Sequence, residues 1–335
     1  MPMINPANIF SLSDLSEAIN IVPNRYGRLN EMGLFPVKGH TVDTISIEEK
    51  NGVLTLIPST TEGGPGVVGS RGRRKLRTFK IPQMVFEDHF SAKELAHARA
   101  FGKNVKETVQ EMMADKLEGA RSRHDITLEF LRMGALKGLI IDGDGSTVLY
   151  DLFAEFGITK KVVNFKLGTQ GNKVANLCRE VVRHIEDNLM GEVMTGVRAL
   201  VSPEFYDALI THPNVEKAYL NWSAAQDRIG GDLRKGFPFG GIVFEEYRGK
   251  ATDASGTVHR YLDEGKAIAF PTGTAQTFRT HVGPADFNET IGRVGQLYYA
   301  KVTPTKNDRG WDIHTQSNVL PLCQRPGVLV ELTAS

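Results

Sequence analysis

Residues 104–136 read NVKETVQEMMADKLEGARSRHDITLEFLRMGAL and form the longest stretch of the chain with an unbroken helical period. Its apolar side chains recur three or four positions apart, with His124 in the one gap, so one stripe is expected to face a core. The stripe consists of Val105, Val109, Met112, Met113, Leu117, Ala120, Leu128, Leu131 and Ala135. At about 1.5 Å per residue this helix would be roughly 50 Å long. We expect it to be the spine of the fold.

Both ends of this spine helix carry termination signals. Asn104 followed by Glu107 has the form of a capping box, and Gly138 lies just beyond the far end, where a left-handed cap residue belongs. Polar residues of mixed charge fill the other face and predict a surface that meets solvent or a partner. They are Lys106, Glu107, Gln110, Glu111, Asp115, Glu118, Arg121, Asp125, Glu129 and Arg132. Gly119, in the middle, weakens the helix without an evident packing role.

The composition sets broad limits on the class of protein. A length of 335 residues suggests about two domains, and 41% hydrophobic with 24% charged residues is typical of a globular chain. The net charge of +1 gives no overall attraction to nucleic acid or to membranes. No apolar stretch approaches the ~18 residues that a membrane span needs. Cys178 and Cys323 are too few for a disulfide framework, so reduced, cytosolic synthesis is expected.

Residues 1–43 are broken by several prolines and glycines, so they predict an arm without long elements. The arm is too apolar to stay in water, and it should lie against its own subunit or a neighbour. Its apolar residues include Ile9, Phe10, Leu12, Leu15, Leu34 and Phe35.

From Thr44 the apolar period changes to two, which predicts strands and a hairpin, with Asn51-Gly52 as a turn signal. A glycine-rich segment follows, and then a basic run without any acid. The run consists of Arg71, Arg73, Arg74, Lys75, Arg77 and Lys80. Two interpretations stay open at this point. The segment is either a protruding loop that grips an acidic partner surface or a solvated hairpin.

The rest of the chain predicts a mixed α+β fold. A hairpin with the turn Asp142–Gly145 follows the spine helix, and its acids lack the partners of a calcium loop. A helix over 173–190, a strand over 197–201, a helix starting at Ser202-Pro203 and another running to about Leu220 come next. The remaining predicted strands are 242–246, 267–270, 296–302, 311–323 and 327–332.

Motifs of catalysis are missing from the sequence. It contains no phosphate-binding Gly-x4-Gly-Lys-Ser/Thr loop, no His-Glu-x-x-His and no Gly-x-Ser-x-Gly. The nine histidines are scattered, with none at metal-ligand spacing from another. We therefore predict no catalytic residue, no cofactor and no metal, and a protein that is not an enzyme.

The order of apolar arm, basic-tipped hairpin, spine helix, α+β region and returning strands resembles the major capsid proteins of tailed bacteriophages. Within these it is most similar to the lambda-like capsid protein E family. The most specific pieces are Leu136-Lys137-Gly138, the junction Ala199 to Tyr206, and the ending from Trp311 to Leu332. The resemblance covers nearly the whole chain and rests on order and context, since none of these pieces is a catalytic signature.

The resemblance implies an HK97-type capsid fold. It assigns residues 1–43 to an N-arm and 44–88 to an extended E-loop hairpin. It assigns 89–160 and 293–335 to a peripheral domain with the spine helix 104–136, and 161–292 to an axial domain. Arg71, Arg73, Arg74, Lys75 and Arg77 are then expected at an assembly interface, and Gly119 at a bend of the spine helix in the immature shell.

The implied function is a coat protein that self-assembles as hexamers and pentamers into an icosahedral phage head around double-stranded DNA. Expected partners are a decoration or cement protein, a portal protein and, because the arm begins at residue 1, a separate scaffold, but no membrane. Assembly would occur in the host bacterial cytoplasm. Lys75 and Lys80 are candidates for a covalent link between subunits, although the lambda-like branch generally relies on a decoration protein. The alternatives are an α+β enzyme with an unrecognised site and a nucleic-acid-binding protein that uses residues 71–80.

Overall fold

The computed structural model describes residues 15–16, 19, 27–50, 74–94, 105–229, 236–253, 255–306 and 309–335. The helices with both ends in these residues are α1 (Arg28–Glu31), α2 (Val105–Lys137), α3 (Leu152–Phe156), α4 (Val174–Asn188), α5 (Pro203–Ile210) and α6 (Pro213–Ile229). The predicted capping residue Asn104, the turn Asn51-Gly52 and the apolar residues Ile9, Phe10 and Leu12 lie outside the described residues.

The predicted spine helix is confirmed as α2, one unbroken helix of 33 residues. Gly138 follows it with a left-handed φ of 77°, as the cap signal predicted. From residue 111 onward, where the side chains are described, the predicted stripe is buried apart from the half-buried Met112. His124, which fills the gap in the stripe, is also buried, with 5% of its surface exposed.

The strands are β1 (Val37–Gly39), β2 (Thr44–Lys50), β3 (Arg74–Lys80), β4 (Gln83–Ser91), β5 (Leu139–Ile141), β6 (Val148–Asp151), β7 (Lys161–Asn164), β8 (Gly196–Val201), β9 (Phe237–Phe239), β10 (Ile242–Glu246), β11 (Lys250–Thr252), β12 (Val258–Arg260), β13 (Lys266–Thr272), β14 (Phe278–Val282), β15 (Tyr299–Pro304), β16 (Gly310–Cys323) and β17 (Val330–Thr333). Six of them form a sheet in the order β7-β17-β13-β8-β10-β9. A second sheet has the order β1-β14-β16-β15, with β4 also paired to β16. The chain is therefore the mixed α+β fold that the sequence predicts.

Two strands, β14 and β17, pair with strands that the predicted boundaries place in the other domain. The boundaries assign β14 to the axial domain and β17 to the peripheral domain. In the structure β14 pairs with β16, whereas β17 pairs with β7 and β13. Each sheet thus contains strands from both sides of a predicted boundary, because hydrogen bonding between segments far apart in the chain cannot be inferred from their order. The domain division as a whole stays a prediction.

Two local predictions also need correction. The last predicted helix continues beyond Leu220 to Ile229, because no glycine or proline interrupts the sequence before Gly230. The sequence predicts no strand between 246 and 267, yet β11 and β12 form a hairpin there, and their three-residue strands are too short to show a period. Strand β2 pairs with β3, and the apolar residues directly after Asn51-Gly52 lie outside the described residues.

The spine helix belongs to two hydrophobic cores. Its C-terminal half, including Leu128 and Leu131, lies in the larger core with the residues of the six-stranded sheet. Its N-terminal half contributes to a smaller core on β15 and β16. The members of the smaller core are Leu15, Ile19, Phe90, Met113, Leu117, Ala120, Tyr298, Ala300, Val302, Trp311 and Ile313. A single helix thus joins both parts of the subunit, which is the role the sequence predicts for it.

Candidate assembly surfaces

The described part of the arm packs on its own subunit. Leu15 and Ile19 are buried in the smaller core, with 2% and 0% of their surfaces exposed. Arg121 of the spine helix donates a hydrogen bond to the backbone carbonyl of Ile19 over 2.7 Å. Further along, Leu34 and Phe35 lie in the larger core. The sequence left open whether the arm packs on its own subunit or on a neighbour. These apolar arm residues pack on their own subunit.

Helix α1 of the arm is capped by the spine helix. Its N-cap residue, Gly27, has no side chain to offer and has a left-handed φ of 115°. Instead, a carboxylate oxygen of Glu129 accepts a hydrogen bond from the N–H of Leu29 over 2.8 Å. A Cβ on residue 27 would lie 2.8 Å from the other Glu129 oxygen. Glycine is therefore required here both for the backbone conformation and for the approach of the carboxylate.

The expectation that the whole polar face of the spine helix meets solvent or a partner is wrong at four positions. Arg121, Asp125, Glu129 and Arg132, which we call the polar seam, are 3 to 8% exposed within the subunit. Arg121 and Asp125 form an ion pair over 2.9 Å, and the Tyr298 hydroxyl donates to Asp125 over 2.6 Å. The arm and Tyr298, which directly precedes β15, pack on this face and bury these charges, and buried charges need partners.

Two residues of the polar seam form hydrogen bonds with the arm, and burial shifts their pKa values. Burial raises the pKa of the Glu129 carboxyl, and the hydrogen bond from the Leu29 N–H opposes this rise. Burial also lowers the pKa of Arg132, whose guanidinium donates to the side chain of Asn30 over 2.9 Å. Tyr247, at the end of β10, donates its hydroxyl to Glu129 over 3.1 Å. The arm, the spine helix and the six-stranded sheet thus meet at one carboxylate.

A second carboxylate ties the arm to the six-stranded sheet. Glu245 of β10 is buried, and it accepts a hydrogen bond from the Arg28 guanidinium over 2.5 Å. Arg198, on the adjacent strand β8, forms an ion pair with the same carboxylate. The pairing with Glu245 raises the pKa of Arg28, which stays charged. Helix α1 is therefore attached both to the spine helix and to the sheet.

The predicted E-loop hairpin is present as the two-stranded ribbon β2–β3, with Thr44 opposite Lys80 and Lys50 opposite Arg74. Of the five basic residues expected at its tip, Arg71 and Arg73 lie outside the described residues, and only the backbones of Arg74 and Lys75 are described. For Arg77, by contrast, the structure describes the side chain. Its guanidinium lies 4.7 Å from the ring centroid of Phe156 and donates to the backbone carbonyls of Glu155 and Phe156. Arg77 therefore binds within its own subunit.

Gly119 occupies an exposed position of the spine helix, and a Cβ added to this residue would have no heavy atom within 4 Å outside the neighbouring helix backbone. The helix is continuous at this residue. No packing contact with the described residues requires glycine here, so its role as a bend in another state of the shell stays a prediction.

The two cysteines and the acidic turn 142–145 have structural surroundings in the part of the chain that the structure describes. Cys178 and Cys323 are buried, and burial raises the pKa of each thiol to about 12. No group of three or more potential metal ligands occurs among the described residues. Asp144 instead stabilises its turn by accepting hydrogen bonds from Ser146 and Thr147. None of the described helices is long and apolar enough to cross a membrane.

A pair of histidines joins the arm to the sheet behind it, and sequence reasoning missed it. His40, just after β1, lies with its Nε2 atom 2.8 Å from Nδ1 of His281 on β14. His281 is buried, and burial followed by the charge of His40 lowers its pKa to about 3. The two residues are 241 positions apart, so no spacing rule could have paired them.

Comparison with known proteins identifies the kind of molecule to which these surfaces belong. The sequence profile of the family described as phage major capsid protein E matches residues 11–334. The chain belongs to this family. The major capsid protein of Pseudomonas phage KPP10 is 30% identical over 350 residues, which cover 98% of each chain.

Solved structures give the same result for the fold. A prophage protein of E. coli CFT073 superposes with a TM-score of 0.59 at 14% identity, over 97% of this chain and 99% of that one. The capsid of Ralstonia phage GP4 gives a TM-score of 0.52 at 10% identity, with coverage of 94% and 93%. The predicted HK97-type capsid fold is thereby confirmed. This member of the phage major capsid protein E family is a structural protein of the virion that self-assembles into a shell.

Proposed function

We propose that the chain assembles as hexamers and pentamers into an icosahedral head that encloses double-stranded DNA. We further propose that the basic segment 71–75 of one subunit binds an acidic surface of the next. The observation that carries this proposal is the ribbon β2–β3. Among the described residues its two strands pair only with each other, and they lead into the basic segment. The outer edges of such a ribbon are not paired with other described strands of its own subunit, so they are available for contact with a neighbouring subunit.

The surface of the ribbon supports the same proposal. Leu76, opposite Glu48, has 64% of its surface exposed, although leucine is usually buried. Residues 71–75 contain Arg71, Arg73, Arg74 and Lys75 and no acid. Contacts that pass head to tail from one subunit to the next close into a ring when the rotation permits. Many modest contacts around closed rings then give a stable shell.

The remaining partners belong to the same proposal. A decoration or cement protein would bind the outer surface, a portal protein would replace one pentamer, and a separate scaffold would guide assembly in the host bacterial cytoplasm. Residues 44–88 would act as the E-loop, 161–292 as the axial domain, and 89–160 with 293–335 as the peripheral domain. Packaged DNA is the competing partner for the basic segment.

The first test is the size of the expressed protein. Size-exclusion chromatography and negative-stain electron microscopy are expected to show shells of megadalton mass, or free hexamers and pentamers. A stable monomer or dimer at all concentrations would contradict the proposal. Salt-dependent DNA binding by that monomer would instead favour the nucleic-acid-binding alternative.

The second test addresses the basic segment. Changing Arg71, Arg73, Arg74 and Lys75 together to Glu should abolish closed shells, because like charges would then face each other at the contact. The thermal unfolding midpoint of the isolated subunit should stay unchanged. The matched control changes the same four residues to Gln, which removes the attraction without adding repulsion, and should weaken assembly less. Normal particles from the Glu variant would disprove this role of the segment.

A further inference from the structure

The angle at which the E-loop hairpin leaves the subunit is not set by strand pairing among the described residues. The ribbon β2–β3 forms its own two-stranded sheet. At its base the N–H of Ile81 donates to the carbonyl of Asp43 over 2.7 Å, which closes the ribbon on itself. After Pro82 the chain enters β4, which belongs to another sheet. Apart from its chain connections to β1 and β4, the described contacts that orient the ribbon are made by side chains.

Tyr150 of β6 holds the base of the ribbon through its hydroxyl. The hydroxyl oxygen accepts a hydrogen bond from the N–H of Lys80 over 2.8 Å and donates one to the carbonyl of Lys80 over 2.9 Å. Its ring meets the buried ring of Phe79 edge to face, with 5.2 Å between centroids. One side chain thus satisfies both backbone groups of Lys80 and fixes the direction of the ring next to it.

Arg77 makes a second attachment, further out along β3. Its guanidinium donates to the carbonyl of Phe156 over 3.2 Å and to that of Glu155. These are carbonyls at the C-terminal end of α3, where a cation is favoured. Phe79 also stacks on Phe156 with 6.2 Å between ring centroids. The ribbon is therefore held at two points by residues 139–156, which comprise β5, β6 and α3 and which we call the clasp.

The clasp in turn is fixed to the end of the spine helix. The N–H of Leu152 donates to the carbonyl of Gly138 over 2.8 Å. A Cβ on residue 138 would collide with the Phe153 ring, so only glycine permits this packing. The positive φ of Gly138 requires glycine for a second reason. A short path of direct contacts thus runs from the spine helix through the clasp to the ribbon.

An open cleft of about 680 Å³ lies beside these attachments. Asp43 and residues 80–83 of the ribbon base line it, together with Tyr150. Pro284 to Asp286 and Asn318 form the part of its wall that belongs to the neighbouring sheet region. The base of the ribbon therefore contacts the clasp and also borders the open cleft. If the clasp contacts were lost, this volume would allow the ribbon to change its angle.

We propose that Tyr150 and Arg77 are positioning residues that fix the angle of the E-loop hairpin relative to the spine helix, through the clasp. This inference rests on the proposed function, since a fixed hairpin angle matters when the tip must meet a neighbouring subunit. The partner that the clasp serves is a second copy of this chain. Arg77, unlike Arg71, Arg73, Arg74 and Lys75, then sets the geometry of the contact from within its own subunit.

The test uses the full chain with Tyr150→Phe, which removes the hydroxyl and keeps the ring against Phe79. Hydrogen–deuterium exchange on unassembled subunits is expected to accelerate about tenfold or more in peptides covering 74–83. Peptides from the spine helix between 111 and 137 should exchange as in the unmodified chain. A role in general stability alone would accelerate exchange in both regions.

The matched control is Tyr261→Phe. The Tyr261 hydroxyl donates to the carbonyl of Ile126 over 3.2 Å, so this change also removes a tyrosine hydrogen bond, at a site away from the ribbon. It should leave exchange over 74–83 unchanged. Arg77→Met should reproduce the effect of Tyr150→Phe, and Arg77→Lys should restore part of it because the charge at the end of α3 is kept.

Electron microscopy of the assembled products completes the test. Tyr150→Phe and Arg77→Met shells should vary more in size and shape than shells of the unmodified chain and of Tyr261→Phe. Unchanged exchange over 74–83, or accelerated exchange with uniform shells, would overturn the proposal. If the unmodified chain forms no shells at all, the proposed function fails, while the exchange experiment still decides whether the clasp fixes the ribbon.

Discussion

The carboxylate of Glu129 accepts a hydrogen bond over 2.8 Å from the backbone N–H of Leu29, a residue 100 positions earlier in the chain. Glu129 lies in the C-terminal half of the spine helix, and Leu29 lies in the first turn of the short helix of the arm. The same carboxylate accepts the hydroxyl of Tyr247 from the six-stranded sheet. The contact therefore couples three separate segments, and its loss has effects that can be measured.

Glu129→Ala should lower the free energy of unfolding by about 3 kcal/mol, because the Leu29 N–H and the buried Arg132 charge would lose a partner. Urea unfolding followed by circular dichroism measures this change. Asp115→Ala, at an exposed position of the same helix, is the control and should change it by less than about 0.5 kcal/mol. Equal effects of the two substitutions would show that Glu129 does not hold the arm.

Acid should destabilise the subunit through two buried histidines. Burial lowers the pKa of His124 to about 4 and that of His281 to about 3, from an ordinary value of 6.5. Since the unfolded chain then binds more protons, the free energy of unfolding should fall as the pH drops below about 6.5. The loss should reach about 2 kcal/mol per histidine at pH 5. The raised pKa of Glu129 acts in the opposite direction and offsets part of it.

Urea midpoints at pH 7.5 and pH 5.0 measure this dependence. His281→Gln, which cannot take up a proton, should show about half of the decrease seen for the unmodified chain. His89→Gln is the control, because His89 is an exposed residue whose ring bonds only to the exposed Asp312 among described side chains. A decrease that is the same in all three proteins would assign the acid sensitivity to other groups.

Gly119→Ala should raise the free energy of unfolding of the isolated subunit by up to about 1 kcal/mol, because alanine favours the helix and fits the open space. Ala114→Gly, at another exposed position of the helix, should lower it by a similar amount. If Gly119 forms a bend in the immature shell, the alanine variant should assemble but expand poorly. Normal expansion of Gly119→Ala particles would rule out the bend.

Particles boiled in SDS should run as a single band near 36.9 kDa, because we expect no covalent link between subunits. Lys75 and Lys80 are the candidate lysines of the hairpin. A ladder of multiples would disprove this expectation, and its loss in Lys75→Ala or Lys80→Ala would identify the lysine involved. An unchanged single band in both variants is the expected outcome.

Local sequence signals determined the elements that carry the fold. The period of residues 104–136 predicted the spine helix to within one residue at each end, and Gly138 predicted its cap. Ser202-Pro203 predicted the start of α5, where the Ser202 hydroxyl accepts from the N–H of Phe205. Such signals succeed because helical periodicity and capping depend on residues a few positions apart. The order of these elements also sufficed to indicate the capsid family.

Only the tertiary structure decided which polar residues face inward. The charges of the polar seam have the spacing of a solvated helix face, yet the arm and Tyr298 pack on them. Arg77 belongs by sequence to a basic run, yet it binds the end of α3, 78 positions away. His40 and His281 meet across 241 positions. The sequence determined the elements and their periods, whereas contacts between distant segments decided burial, because the cost of burying a charge depends on partners that local spacing does not reveal.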